Sequence, residues 1–182
     1  YWHKKAVQKL LRQMLDLSDA LVVSTPPLRE RIVEETGRKD ITVAFNHLHP
    51  TVWGADVTAG VQRFPNHDKV VIGWQGSNTH DHDFKMALPA LARILADYPQ
   101  VVMRFFGNVP LSIKGTIPET RFQWARGVPF DRYPSTLCFM NYDIGLAPVT
   151  SAKFNLSKSS LRWLEYSALG IPCVASTIFP YK

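Results

Sequence analysis

Apolar residues along this chain follow two rhythms. Short unbroken runs at Ala20–Ser24, Ile41–Phe45, Lys69–Trp74, Val101–Phe106, Arg121–Ala125, Asp143–Pro148 and Pro172–Ser176 have the length and flanking residues of strands. Runs such as VVIGW, with no polar alternation, suit strands buried on both faces. Between them the apolar period is helical. Val7, Leu10, Leu11 and Met14 predict a helix over roughly 3–17, and a second runs from Pro26 to about Thr36, with Thr25 as N-cap and Gly37 as its stop. Leu88, Leu91, Ala92 and Leu95 form the stripe of a helix over about 83–98, where Pro89 demands a kink or a late start. Residues 130–141 read as helical despite Pro134, and 157–169 as an amphipathic helix. Asn46 to Trp53 reads as a loop, and 54–68, rich in Gly, Asn, Asp and Pro, as a connector. Alternating strands and helices predict an α/β fold, a Rossmann-like parallel sheet with helices on both faces. Right-handed crossovers then gather the strand-to-helix loops along one edge.

Composition narrows the setting. The chain's 182 residues make room for one sizeable domain, or one domain and part of another. No apolar run approaches the roughly 20 residues that span a bilayer. Cys138 and Cys173 form no metal or redox motif, and a reduced cytoplasmic setting is the simplest reading. The net charge of +6 fits an anionic ligand or weak attraction to an anionic membrane, and is no fingerprint of nucleic-acid binding. Lys4, Lys5, Lys9 and Arg12 accompany the apolar stripe of the first helix, as in an interfacial helix or on the solvated face of a packed one. The chain starts without methionine and stops at Phe179-Pro180-Tyr181-Lys182, so a piece of a longer protein is expected.

Candidate chemistry concentrates between Lys153 and Ser176. A helix starting with Ser157, Lys158, Ser159 and Ser160 offers N–H groups, hydroxyls and a cation to a phosphate. Glu165, seven residues beyond Lys158, would lie on the same face roughly 10 Å along the axis, at the reach of a ribose. The same pattern suits an ordinary core helix with Lys158 and Glu165 solvated. Ligands of open α/β sheets bind beyond the carboxyl ends of the strands. The loops expected there are Gly76-Ser77-Asn78-Thr79, Gly107-Asn108, Arg126-Gly127-Val128-Pro129 and Thr150 through Ser157. Thr79-His80-Asp81-His82-Asp83 contains metal-ligand residue types, but reads more simply as a helix start with acids at its positive end. From its loop, His80 is a candidate for contact with phosphate or substrate. His47 and His49 read as exposed loop residues, and Trp53, Trp74, Trp124 and Trp163 as core packing, although one beside Gly127-Val128 would be placed to stack on a base.

The segment FNLSKSSLRWLEYSALGIPCVAS resembles the signature of group 1 glycosyltransferases with the GT-B architecture, and the likeness extends, more weakly, from about Ala20 to Ser176. DALVVST and TVAFN match the pattern that closes the family's N-terminal domain and enters its hinge. The resemblance implies that residues 1–53 end an N-terminal domain and hinge, and that 69–182 belong to a C-terminal nucleotide-sugar-binding domain, one half of a GT-B architecture. Gly73-Trp74-Gln75-Gly76-Ser77 is similar to the family's first glycine-rich loop, although a simple turn would also need that glycine content. Two departures stand out. Gln75 and His80 occupy the region where the commoner pattern has an arginine and a lysine on phosphate, leaving Lys158, helped by Arg162, to meet that charge. Of the family's two glutamates only the second has a counterpart, Glu165, because Ser157 stands where the first would be.

What the resemblance implies is transfer of a sugar from a nucleoside diphosphate sugar to an acceptor hydroxyl on a carbohydrate or lipid-linked acceptor. Retained configuration is expected, with no cofactor and no metal. Lys158 would act on the leaving diphosphate, Gly76, Ser77, Gly127, Val128, Ser159 and Ser160 would bind the donor, and Glu165 would hold the ribose. The acceptor site is expected outside this stretch, so the chain alone should bind nucleotide weakly and transfer little sugar. A non-catalytic α/β module and a sugar-nucleotide epimerase are the rival readings.

Overall fold

The computed structural model describes residues 5–54 and 68–182. Lys4 and nearly all of the 54–68 connector therefore lie outside the described residues. The first unit runs α1 (Lys5–Leu17), β1 (Leu21–Val23), α2 (Pro26–Thr36) and β2 (Ile41–Val43), with β1 and β2 paired in parallel. Thr25 caps α2 by accepting the Leu28 N–H at 3.3 Å, and Gly37 ends it in the left-handed region at φ 73°. None of the residues of α1 is buried, and Leu10, Met14 and Leu17 lie exposed, so its apolar stripe faces outward rather than onto a described neighbour.

The second unit is built on β3 (Val70–Gly76), followed by α3 (Asp81–Lys85), α4 (Leu88–Asp97), β4 (Val101–Gly107), β5 (Phe122–Arg126), α5 (Tyr133–Phe139), β6 (Ile144–Ala147), α6 (Leu161–Ala168) and β7 (Cys173–Ala175). Its five strands are all parallel and ordered β5-β4-β3-β6-β7. The chain leaves β3 for one side of the sheet and later returns to the other through β6. That reversal opens a crevice at the carboxyl ends of β3 and β6.

Alternation along β3 divides the core. Ile72 and Trp74 pack with Phe84, Leu88, Leu91, Leu95, Met103 and Phe105 on the α3–α4 face. Val71 packs with Phe106, Leu137, Met140, Tyr142, Tyr166 and Leu169 on the α5–α6 face, where Trp53 from the loop after β2 also sits. Trp74, Phe84 and Phe105 meet edge to face with centroids 5.2, 6.2 and 5.6 Å apart, a geometry worth about 0.5–1.5 kcal/mol per pair beyond burial. Trp124 and Trp163, expected in the core, are instead 53% and 47% exposed.

Several helix boundaries differ from those the apolar period predicts, and each has an identifiable cause. The helix expected over 83–98 is two, α3 and α4, and Pro89 sits in the first turn of α4, where its missing N–H costs no hydrogen bond. Pro134 likewise opens α5, after a 3₁₀ turn at Phe130–Arg132, so the helix expected from 130 begins at Tyr133. The helix expected from Ser157 begins at Leu161, because the Ser157 carbonyl is taken by the Thr25 hydroxyl at 2.8 Å. Lys158 is extended, and the first helical bond runs from Leu164 N–H to the Ser160 carbonyl. Gln75 and Gly76, expected in a loop, extend β3 and pair with Phe106 and Gly107.

Gly73 earns its place by packing. A Cβ there would lie 2.0 Å from the Tyr142 ring, which rests flat against the strand. Gly73→Ala should therefore force Tyr142 out of the core and destabilise the fold by about 2 kcal/mol or more, read as a fall in the urea midpoint.

Candidate functional site

The crevice holds a cleft of about 450 Å³. Gln75 and Gly76 at the end of β3, Ser77 after it, Gly107 at the end of β4, Asn108 after it, and Gly127 and Val128 after β5 form one wall, and Tyr133, Arg162 and Glu165 form the other. Three of the four loops expected to converge do so. The fourth, Thr150 through Ser157, turns inward to other partners and does not line the cleft. Gly107 is required twice over: its φ is 96°, and a Cβ would lie 2.6 Å from the Gly76 carbonyl oxygen. That carbonyl accepts the Asn108 N–H at 2.9 Å, and the Gly107 carbonyl accepts the Trp124 indole N–H at 2.8 Å. Trp124 thus braces the floor of the cleft and is not one of its lining residues.

Glu165 is the acid of the cleft. Its Oε2 accepts the Gln75 side-chain amide at 2.7 Å and the Tyr133 hydroxyl at 2.9 Å. Oε1 has no hydrogen-bond partner among the described residues. Burial raises the carboxyl above its ordinary value, against the opposing pull of the Tyr133 and Gln75 bonds and of Arg162. The first departure of the sequence thereby gains a structural partner: the Gln75 side-chain amide is committed to Glu165.

The cations lie beside this cleft. A hollow of about 160 Å³ is lined by His80, Lys158, Arg162 and Tyr181, with Leu161 and Arg162 common to hollow and cleft. Arg162 also stands 5.8 Å from the centre of the Trp74 ring. Lys158 precedes α6 rather than forming its first turn, and its Nζ donates to Asn155 Oδ1 at 2.6 Å, 3.9 Å from Asp83 Oδ2. Burial lowers the Lys158 ammonium from its ordinary value, with Asp83 opposing and Arg162 adding to the effect. Among the described residues no group of three or more histidines, cysteines and acids is placed to hold a metal ion.

Ser159 and Ser160 divide differently from expectation. Both line a third cavity, of about 480 Å³, on the far side of the start of α6, with Asn46, His47, Leu48 and Phe179. Ser159 also borders the hollow, and its hydroxyl accepts the Asn46 amide at 2.8 Å. Ser160 does not reach the cleft of Glu165, because its backbone φ of −82° and ψ of 26° place it as the residue that turns the chain into α6. Tyr133 and Asn155 had no signal in the sequence, and Asp83 read there only as an acid at a helix start, since each makes its contacts between elements distant along the chain.

No protein family matches the sequence, and no curated protein does. Solved structures do. HepE from Anabaena, in complex with UDP-glucose, superposes with a TM-score of 0.66 at 16% identity over 94% of this chain and 49% of its own. TarM gives 0.62 at 12% over 96% of this chain and 33% of its own, and a variant of TarM from S. aureus was solved with UDP. Sucrose-phosphate synthase from Thermosynechococcus elongatus gives 0.56 at 13% over 96% and 45%. The chain thus spans between a third and a half of the length of these structures. The likeness is one of fold: the Rossmann-like parallel sheet that forms one half of a GT-B architecture.

Tyr133→Phe removes one donor to a partly buried carboxylate. Because that bond holds the Glu165 carboxyl down, its titration in the variant should move to still higher pH, measurable by carbon-13 NMR of the glutamate side chains.

Proposed function

We propose that this chain supplies the donor-binding half of a glycosyltransferase, with a nucleoside diphosphate sugar seated across the cleft and the hollow. The observation that carries the reading is the adjacency of the two cavities: an acid with one unengaged oxygen lines the first, three basic side chains line the second, and Arg162 borders both. A nucleotide sugar has this polarity, with a neutral diol at one end and a diphosphate beyond it. In this reading Glu165 Oε1 accepts from the ribose hydroxyls, and the glycine-lined loops at Gly76-Ser77 and Gly127-Val128 let backbone approach the ligand. Lys158, Arg162 and the N–H groups at the start of α6 meet the diphosphate.

The chemistry asked of these groups is electrostatic. As the bond between the sugar and the diphosphate breaks, its electron pair stays on the phosphate oxygen, and preorganised cations and N–H groups stabilise the charge that develops. An acceptor hydroxyl bonds to the anomeric carbon and gives up its proton. Retention of configuration and the use of protein cations in place of a divalent ion belong to the same proposal, as does a division into 1–53, ending a first domain and hinge, and a donor half over 69–182. The UDP complexes of HepE and TarM make a uridine diphosphate sugar the first donor to test. The acceptor, carbohydrate or lipid-linked, would contact residues outside this stretch, so the chain alone should show little transfer.

Calorimetry with UDP, uridine and inorganic phosphate tests the assignment. Glu165→Gln should weaken uridine and UDP alike by about 1.5–3 kcal/mol, the usual value of a hydrogen bond to a charged group. Lys158→Ala should weaken UDP and leave uridine unchanged. UDP binding equal to the parent's in both variants would show the site to be elsewhere. Because the ribose contact needs the carboxylate, uridine affinity should fall as pH drops through the raised Glu165 value, at a higher pH than an ordinary glutamate would give.

A further inference from the structure

The side chain with most partners around the cationic hollow does not line it. Asp83, on α3, is 3% exposed, and its Oδ1 accepts the Thr150 N–H at 2.9 Å, the Thr150 hydroxyl at 3.0 Å and the Asn155 amide at 2.6 Å. Its Oδ2 faces His80 Nδ1 at 3.1 Å and Lys158 Nζ at 3.9 Å. Asn155, itself buried, continues the network by presenting Oδ1 to Lys158. A buried carboxylate is costly unless fully compensated, and breaking such a network leaves its members unpaired. Here compensation draws the Thr150–Lys158 loop onto α3 and commits one nitrogen of His80. The other, Nε2, has no partner among the described residues, and the ring lines the hollow.

We propose that Asp83 is a positioning residue that orients His80 directly, and Lys158 partly through Asn155, toward one phosphoryl group, and that His80 takes up a proton as the anion enters. This rests on reading the hollow as the diphosphate seat. Nδ1 must carry a hydrogen to donate to Asp83, so Nε2 is the nitrogen that gains the proton and then donates to a phosphate oxygen. The titratable and charged groups facing the imidazole are Asp83 from α3, Lys158 from the loop, Arg162 from α6 and Tyr181 from the C-terminal segment. Burial, then Arg162 and Lys158, hold His80 below its ordinary value in the free protein, and only Asp83 opposes them. A phosphate offsets those two cations, so binding favours the imidazolium.

The test is calorimetry on the whole chain with uridine and inorganic pyrophosphate as separate probes, in two buffers of different ionisation enthalpy. In the parent, pyrophosphate binding near pH 7.5 should take up more protons than in His80→Gln, the difference cancelling the ligand's own ionisation. Asp83→Asn should weaken pyrophosphate at least tenfold while leaving uridine within twofold. Equal proton uptake in parent and His80→Gln, or parallel loss of both ligands in a folded Asp83→Asn, overturns the proposal. If Asp83→Asn does not fold, the His80→Gln comparison still decides. A parent that binds uridine and not pyrophosphate removes the phosphate seat alone, whereas one that binds neither removes the nucleotide reading with it.

Discussion

Two tyrosine rings lying on two glycines set the distance between the sheet and the helices that carry the site. Tyr142 rests on Gly73 of β3, and Tyr166 on Gly145 of β6, where a Cβ would come within 2.7 Å of its ring. The rings meet edge to face at 6.2 Å, and each hydroxyl donates to a strand carbonyl at 3.3 Å, Trp74 for one and Leu146 for the other. With any side chain at Gly73 or Gly145 the α5–α6 layer would stand further out. Glu165 precedes Tyr166, so the seating of that ring brings the carboxylate within reach of Gln75 on β3. The cleft is a consequence of close packing before it is a matter of charge.

On that frame the charges separate. The acid is held on the side of the glycine-lined loops by a strand amide and a helix hydroxyl, both on one oxygen. His80 and Lys158 are held on the side of the Thr150–Lys158 loop by a buried carboxylate. Arg162 stands between, one turn before Glu165 on α6, and bears on both groups. Glu165 and Lys158, which would neutralise one another in direct contact, are instead tied to separate partners. The proposed ligand, with its unlike ends, would use that separation.

The expected α/β order and the glycine loops were legible because strand periods, proline positions and glycines act locally. Thr25 and Gly37 behave as their neighbours in sequence dictate, and Pro89 and Pro134 mark helix starts for the reason proline always does. Glu165 was legible from its spacing on an amphipathic helix. Helix starts were read too early wherever a distant residue intervened, as Thr25 does by taking the Ser157 carbonyl across 132 positions.

The order of amino acids alone therefore determined the succession of strands and helices, their parallel arrangement and three of the loops that border the cleft, since each follows from periodicity and from backbone preferences within a few residues. Which oxygen of Glu165 stays open, that Gln75 bonds Glu165, which cavity Ser160 borders, and that Asp83 lies against His80 and beside Lys158 were decided only by tertiary structure. Those facts are hydrogen bonds and close contacts between segments tens of residues apart, and no local pattern encodes the pairing of one buried polar group with another.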